Sequence, residues 1–199
     1  MNKRSVKQFW DSVIAIVLSL MLFFLSDETA ITISEIRMIV ALIPLMWLAL
    51  RHGAPSAIIA SVFVGVAQAI VKSGTQDWIV LISQWIAPLL SVGVMGLFAK
   101  YTQKTLNNKR YSSTYLNIFT GSLLVLGLFI IISQFVVPVA LGNEPQFQWT
   151  NLNHWLGLVV SWLISGGLLA LMARYMPQLI IPKRSKYLSR KETSSLLND

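Results

Sequence analysis

Long uninterrupted apolar blocks alternate along the chain with short polar breaks. The blocks run from Phe9 to Leu25, Ile33 to Leu50, Pro55 to Val71, Trp78 to Ala99, Leu116 to Leu141 and Leu152 to Met176. Each approaches the roughly 20 residues that a helix needs to cross a hydrocarbon core about 30 Å thick. The blocks are continuously apolar and lack the strict alternation of a barrel strand, and lipid cannot satisfy an open backbone, so the pattern predicts helices. The expected fold is therefore all-α, a polytopic membrane protein of six transmembrane helices. Lys3, Arg4 and Lys7 precede the first block as they would in a signal peptide, but no small-x-small cleavage site follows Leu25, so that block is read as retained.

The polar breaks set the orientation. Fourteen of the sixteen Lys and Arg lie in the N-tail, the Arg51 turn, the Lys100–Arg110 loop and the segment from Arg174 onward. By the positive-inside rule these face the cytoplasm, which places both termini there in a multi-pass protein of the inner (plasma) membrane. The opposite loops carry Asp27, Glu28, Asp77 and Glu144, with Lys72 as their cation. The net charge of +8 on 199 residues is thereby explained by topology, and nucleic-acid binding is not expected. Residues 1–182 form the expected membrane domain. Residues 183–199 form a basic tail, solvated or in contact with lipid headgroups, for which disorder is expected. Cysteine is absent, which removes disulfides and thiolate ligands.

Small residues recur at helical spacing. Ala57, Ser61, Gly65 and Ala69 line one face of the third helix, and Gly157, Ser161 and Ser165 one face of the sixth, so backbones can approach closely there. Ser12, Ala15 and Ser19 form a similar stripe on the first helix, where a partner subunit could dock. The short turn Arg51-His52-Gly53-Ala54-Pro55 makes the second and third helices antiparallel neighbours.

Polar residues inside the spans are costly and need partners or a water-filled cavity. Only Glu35 and Arg37 qualify as intramembrane charges; they either snorkel and pair locally or line an outward pocket. Gln68, Ser83, Gln84, Trp85, Ser133 and Gln134, with Asn151, Asn153, His154, Trp155 and Trp162 from the sixth helix and the loop before it, are the other candidates for its mouth. Rings that stack and amides that orient suit a flat polar heterocycle. The alternative for Trp78, Trp149 and Trp155 is an interfacial aromatic belt. The sequence has no glycine loop for nucleotides, no Ser-His-Asp pattern and no histidine pair at metal-binding spacing. No metal, cofactor or enzymatic activity is expected, and the chain of buried carboxylates that would mark a proton-driven carrier is also missing.

The stretch Ala41-Leu42-Ile43-Pro44-Leu45-Met46-Trp47-Leu48-Ala49-Leu50-Arg51-His52-Gly53, followed by a small-residue helix, resembles the substrate-binding S components of energy-coupling factor vitamin transporters, particularly the thiamine-specific branch. Trp85-Ile86-Ala87-Pro88, Ser91-Val92-Gly93-Val94-Met95-Gly96-Leu97-Phe98 and Arg174-Tyr175-Met176-Pro177-Gln178-Leu179-Ile180 extend the resemblance over about Thr32 to Ile181. It implies a membrane subunit that captures a vitamin from outside and joins a transmembrane coupling subunit and two cytoplasmic ATPases. It also implies docking through small residues of the first helix, although bulky Phe9 and Val13 stand where that family has small ones. The pocket departs from the thiamine branch: Ser83 and Gln84 replace a Glu-Tyr pair, Ser133 or Gln134 a histidine, and Trp162 falls near an asparagine. Without that glutamate a thiazolium ring loses its counter-charge, so thiamine and a neutral or anionic relative both stand as ligands. Glu35-Ile36-Arg37 before a small-residue hairpin also resembles the membrane input modules of some bacterial signalling proteins, which makes a sensor subunit the second reading; a ligand-free scaffold is the third.

Overall fold

The computed structural model describes residues 3–25, 30–33, 36–73, 77–147, 149–183 and 185–188. Among them are the helices α1 (Lys3–Phe24), α2 (Ile43–His52), α3 (Ala54–Gln68), α4 (Trp78–Val80), α5 (Met95–Asn107), α6 (Tyr111–Ile131), α7 (Val137–Ala140), α8 (Leu152–Tyr175) and α9 (Pro177–Ile180). Wider π-helical turns continue α3 over Ala69–Ser73, α4 over Leu81–Ile86 and α6 over Ile132–Val136. A 3-10 stretch, Pro88–Val94, leads into α5. Four segments are long and apolar enough to cross a membrane: Ser5–Phe24, Ala54–Val71, Tyr111–Ala140 and Leu152–Tyr175. The pair Trp78–Ile86 and Pro88–Asn107, taken together as one broken span, makes a fifth candidate; it is bent by 42° at the proline that cannot donate to the preceding turn.

The helix expected over Ile33–Leu50 is not a single helix. Strands β1 (Ala30–Ile33) and β2 (Ile36–Ile39) pair antiparallel in the register Ala30↔Ile39 and Thr32↔Arg37, and only α2 is helical. Ile31, Thr32, Ile33, Ile36, Ile39 and Val40 are β-branched, and that density favours a pleated strand over a helix. Two anchors fix this segment in the bundle: the Ile39 N–H donates to Ser161 Oγ (2.8 Å), and Ser19 Oγ donates to the Ala41 carbonyl (2.7 Å).

Ser19 belongs to the stripe on which a partner was expected to dock, and in this chain by itself the stripe faces inward. Ala15 and Ser19 are 0% exposed and pack inside the protein, with Ser12 half-buried and bonded to Gln8 O of its own helix. The outward face of α1 carries Phe9, Trp10, Ile14, Val17, Leu18 and Met21 instead. A small stripe lets backbones approach whichever neighbour is present, and here α2 supplies one. The stripes on α3 and α8 likewise turn inward: Ala57, Ser61, Gly65 and Ala69 are buried, as are Gly157, Ser161 and Ser165.

Two charges inside the bundle were not among those expected. Asp11 on α1 receives Arg51 Nε at 2.7 Å, and His52 Nε2 lies 2.7 Å from the same carboxylate oxygen. Arg51 Nη1 also donates to the carbonyls of Gln178 (2.6 Å) and Leu179 (2.5 Å), and Trp47 Nε1 donates to Leu179 O. One guanidinium thus ties α1, α2 and α9 together at the end of the bundle where the first and last described helices meet. Gln103 of α5 donates to the Leu50 and Arg51 carbonyls and accepts from Ser185 Oγ (2.6 Å), and Leu188 is buried, so residues 185–188 pack against this end.

Gly53 joins α2 to α3 at φ +89° and ψ 177°, a region nearly exclusive to glycine, and a Cβ there would collide with the Tyr187 hydroxyl. Gly53→Ala is expected to cost about 1–3 kcal/mol, read as a lower thermal midpoint in detergent.

Candidate ligand site

A cavity of about 270 Å³ opens at the end of the bundle opposite the Asp11–Arg51 cluster, close to the low end of small-molecule pockets. Its walls come from Ile39 of β2, Gln68 of α3, Gln84 and Trp85 of the turn after α4, Phe129 and Ile130 of α6, Ser133 and Gln134 of its π turn, Asn143, Gln146 and Phe147 of the following loop, and His154 of α8.

Two copies of one local pattern build much of that wall. Ser83-Gln84-Trp85-Ile86-Ala87-Pro88 and Ser133-Gln134-Phe135-Val136-Val137-Pro138 share the order Ser, Gln, aromatic, two apolar residues, Pro. In each, the proline lacks an N–H and crowds the carbonyl four residues back, which belongs to the glutamine. The helix answers by widening to a π turn: the Ala87 N–H reaches Ile82 O, and the Val137 N–H reaches Ile132 O. Such turns leave backbone groups unused and frequently mark functional sites. The Gln134 carbonyl, released by Pro138, accepts from the Gln146 N–H at 2.9 Å and so pins the loop over the cavity.

That loop is held by rings. Phe147 is buried with Trp149, His154, Trp155 and Phe135 around it at centroid distances of 4.9, 5.5, 5.5 and 5.8 Å. Trp155 Nε1 donates to Trp149 O, closing the cluster. On the far wall Gly65 of α3 allows close approach of the π turn, since a Cβ there would stand 2.6 Å from Trp85 O and 3.1 Å from Ile86 Cα.

The chemistry of the cavity lies in atoms without partners. Gln68 Nε2, Trp85 Nε1, Gln134 Oε1 and His154 Nδ1 are all buried without a hydrogen bond, and all four side chains line this one space. Gln68 is only 4% exposed. A buried polar atom left unpaired is expensive, and four around one cavity indicate a missing partner of matching polarity.

Of the sequence candidates, Gln68, Gln84, Trp85, Gln134 and His154 come together here, with Ser133 beside them. Ser83 does not line the cavity; its hydroxyl donates to the Ile79 carbonyl of its own helix. Asn151 caps α8, accepting from the Asn153 N–H, and Trp162 turns away to donate to Phe119 O (2.8 Å) with its ring edge-on to Phe119. Glu35 lies outside the described residues; Arg37 is placed only by its backbone in β2. Asn143, Gln146 and Phe147 are lining residues outside the sequence candidates; the signal that bears on them is the repeated Ser-Gln-aromatic-x-x-Pro segment, whose Pro138 frees the Gln134 carbonyl for the Gln146 N–H.

Several membrane-length helices around a cavity lined by neutral amides and rings define a multi-pass membrane protein whose candidate ligand site is this cavity. The chain belongs to the thiamine transporter protein (Thia_YuaJ) family, whose model matches residues 11–181. Among solved structures, ThiT from Listeria monocytogenes matches with a TM-score of 0.68 at 16% identity, covering 91% of this chain and all of that one, which establishes a shared fold. No curated protein matches the sequence.

Proposed function

We propose that this chain is the substrate-binding S component of an energy-coupling factor transporter, capturing thiamine or a related vitamin or precursor from outside for ATP-driven uptake. The observation that carries this reading is the convergence of four unpartnered polar atoms on one ring-sized cavity at a single end of the bundle. Its partners are a transmembrane coupling subunit and two cytoplasmic ATPases, because the chain shows no nucleotide-binding loop of its own.

Topology supports capture from outside. The basic loops gather at the Asp11–Arg51 end, so the cavity end faces away from the cytoplasm. The start of α1 and α9 meet at Arg51, which requires an even number of traverses between them. Five come from the membrane-length segments, and the hairpin with α2 supplies a sixth, its backbone enclosed by α1 and α8. Both termini then lie in the cytoplasm of a plasma-membrane protein.

The test is a fluorescence titration of protein purified without vitamins. A saturable change is expected with thiamine or a relative, and Trp85→Phe should remove most of it because Trp85 lines the cavity. Affinity purification from the native host should also bring down a coupling subunit and ATPases. A flat titration across a vitamin panel, together with isolation of the chain alone, would end this reading.

A further inference from the structure

We propose that the cavity prefers an uncharged heteroaromatic ligand to a permanently cationic one. This rests on the ligand-capture reading above and adds the charge class of the ligand.

The groups facing the cavity decide it. Its described polar lining consists of Gln68, Gln84, Ser133, Gln134, Asn143, Gln146 and His154, with the Trp85 indole N–H; no carboxylate is among the described lining residues. Glu144 sits on the neighbouring loop, exposed and outside the lining. Two of the unpartnered atoms, Gln68 Nε2 and Trp85 Nε1, are N–H donors, and each presents the positive end of its dipole. Such donors pair with ring nitrogens, carbonyls or hydroxyl oxygens and repel a cation. Gln134 Oε1 is the matching acceptor for a ring amino or hydroxyl group. The indole N–H lies on the edge of its ring, the positive part of the aromatic quadrupole, so Trp85 offers little to a cation from that side. Among the described lining residues a cation leaving water therefore meets amide dipoles in place of a counter-charge, and they compensate its desolvation poorly. An uncharged ring with both an acceptor and a donor on its rim avoids that cost and satisfies Gln68, Trp85 and Gln134 together.

The experiment compares ligands of one shape and different charge. Dissociation constants are measured on the full chain in detergent for thiamine, for 3-deazathiamine, the uncharged isostere with thiophene in place of thiazolium, and for 4-amino-5-hydroxymethyl-2-methylpyrimidine. Binding of 3-deazathiamine at least tenfold tighter than thiamine is expected, with the pyrimidine alcohol also bound. Gln84→Glu, which puts a carboxylate on the wall, should narrow or invert that ratio. Thiamine binding as tightly as its isostere or more tightly overturns the inference and leaves the capture function standing. Failure of every compound, the wider vitamin panel included, removes both.

Discussion

Arg51→Ala is expected to lower the stability of the bundle by about 3–5 kcal/mol, the usual cost of stripping one partner from a buried ion pair. Arg51 is 4% exposed, and its loss leaves the Asp11 carboxylate in a buried setting with only His52 beside it. The carbonyls of Gln178 and Leu179 lose a charged donor in the same step, which detaches α9 from α2. Arg51→Lys should recover only a minor part, because a single ammonium cannot reproduce donation from Nε to one side and Nη1 to another. The double variant Asp11→Ala/Arg51→Ala should be clearly less destabilised than the sum of its single variants, since the second truncation removes the orphaned charge. Thermal unfolding in detergent reads all four proteins. Ligand affinity below the transition should hold, because the cavity occupies the opposite end. A midpoint for Arg51→Ala indistinguishable from wild type would show that the cluster bears no structural load.

How far the sequence spoke for this protein depends on the element. Continuous apolar runs such as Leu116–Leu141 and Leu152–Met176 announce membrane helices because nothing else satisfies their backbone in lipid, and α6 with its π turn and α7, and α8, lie there. The run from Ile33 to Leu50 is also largely apolar, and hydropathy alone does not separate helix from strand; the β-branched residues gathered in its first half carry the information. Asp11 falls inside the first apolar block yet was not among the charges expected inside the membrane, because its partner lies 40 positions away and only the antiparallel return through α2 brings Arg51 to it. The same applies to the stripe of Ala15 and Ser19: spacing reveals a close-packing face without naming the neighbour. At the cavity, residue type brought forward Gln68, Gln84, Trp85, Gln134 and His154 as candidates, since polar atoms in a span need a reason, and all five line it. Type could not distinguish them from Ser83, whose hydroxyl returns to its own helix, or Trp162, whose N–H is taken by Phe119 O; that depends on rotation about the helix axis, which the π turns alter.

Gly65→Val provides the sharpest test of how the cavity is held. A Cβ at this position would already stand 2.6 Å from Trp85 O, and the obstruction is backbone, which cannot swing aside as a side chain can. The π turn over Leu81–Ile86 must move outward and take with it the Gln84 and Trp85 walls of the cavity. Overpacking of this kind costs about 1–3 kcal/mol, and if the strain falls on the ligand-bound geometry, affinity drops by about 10- to 100-fold. The matched control is Gly127→Ala on α6, where an added Cβ meets nothing within 4 Å and where alanine is the better helix former. Its ligand affinity and thermal midpoint should equal or exceed those of the parent. Titrations with the tightest-binding compound of the charge comparison would separate the two cases. Unaltered affinity in Gly65→Val would mean that the π turn has freedom to yield, and that the approach of α3 to Trp85 does not set the shape of the site.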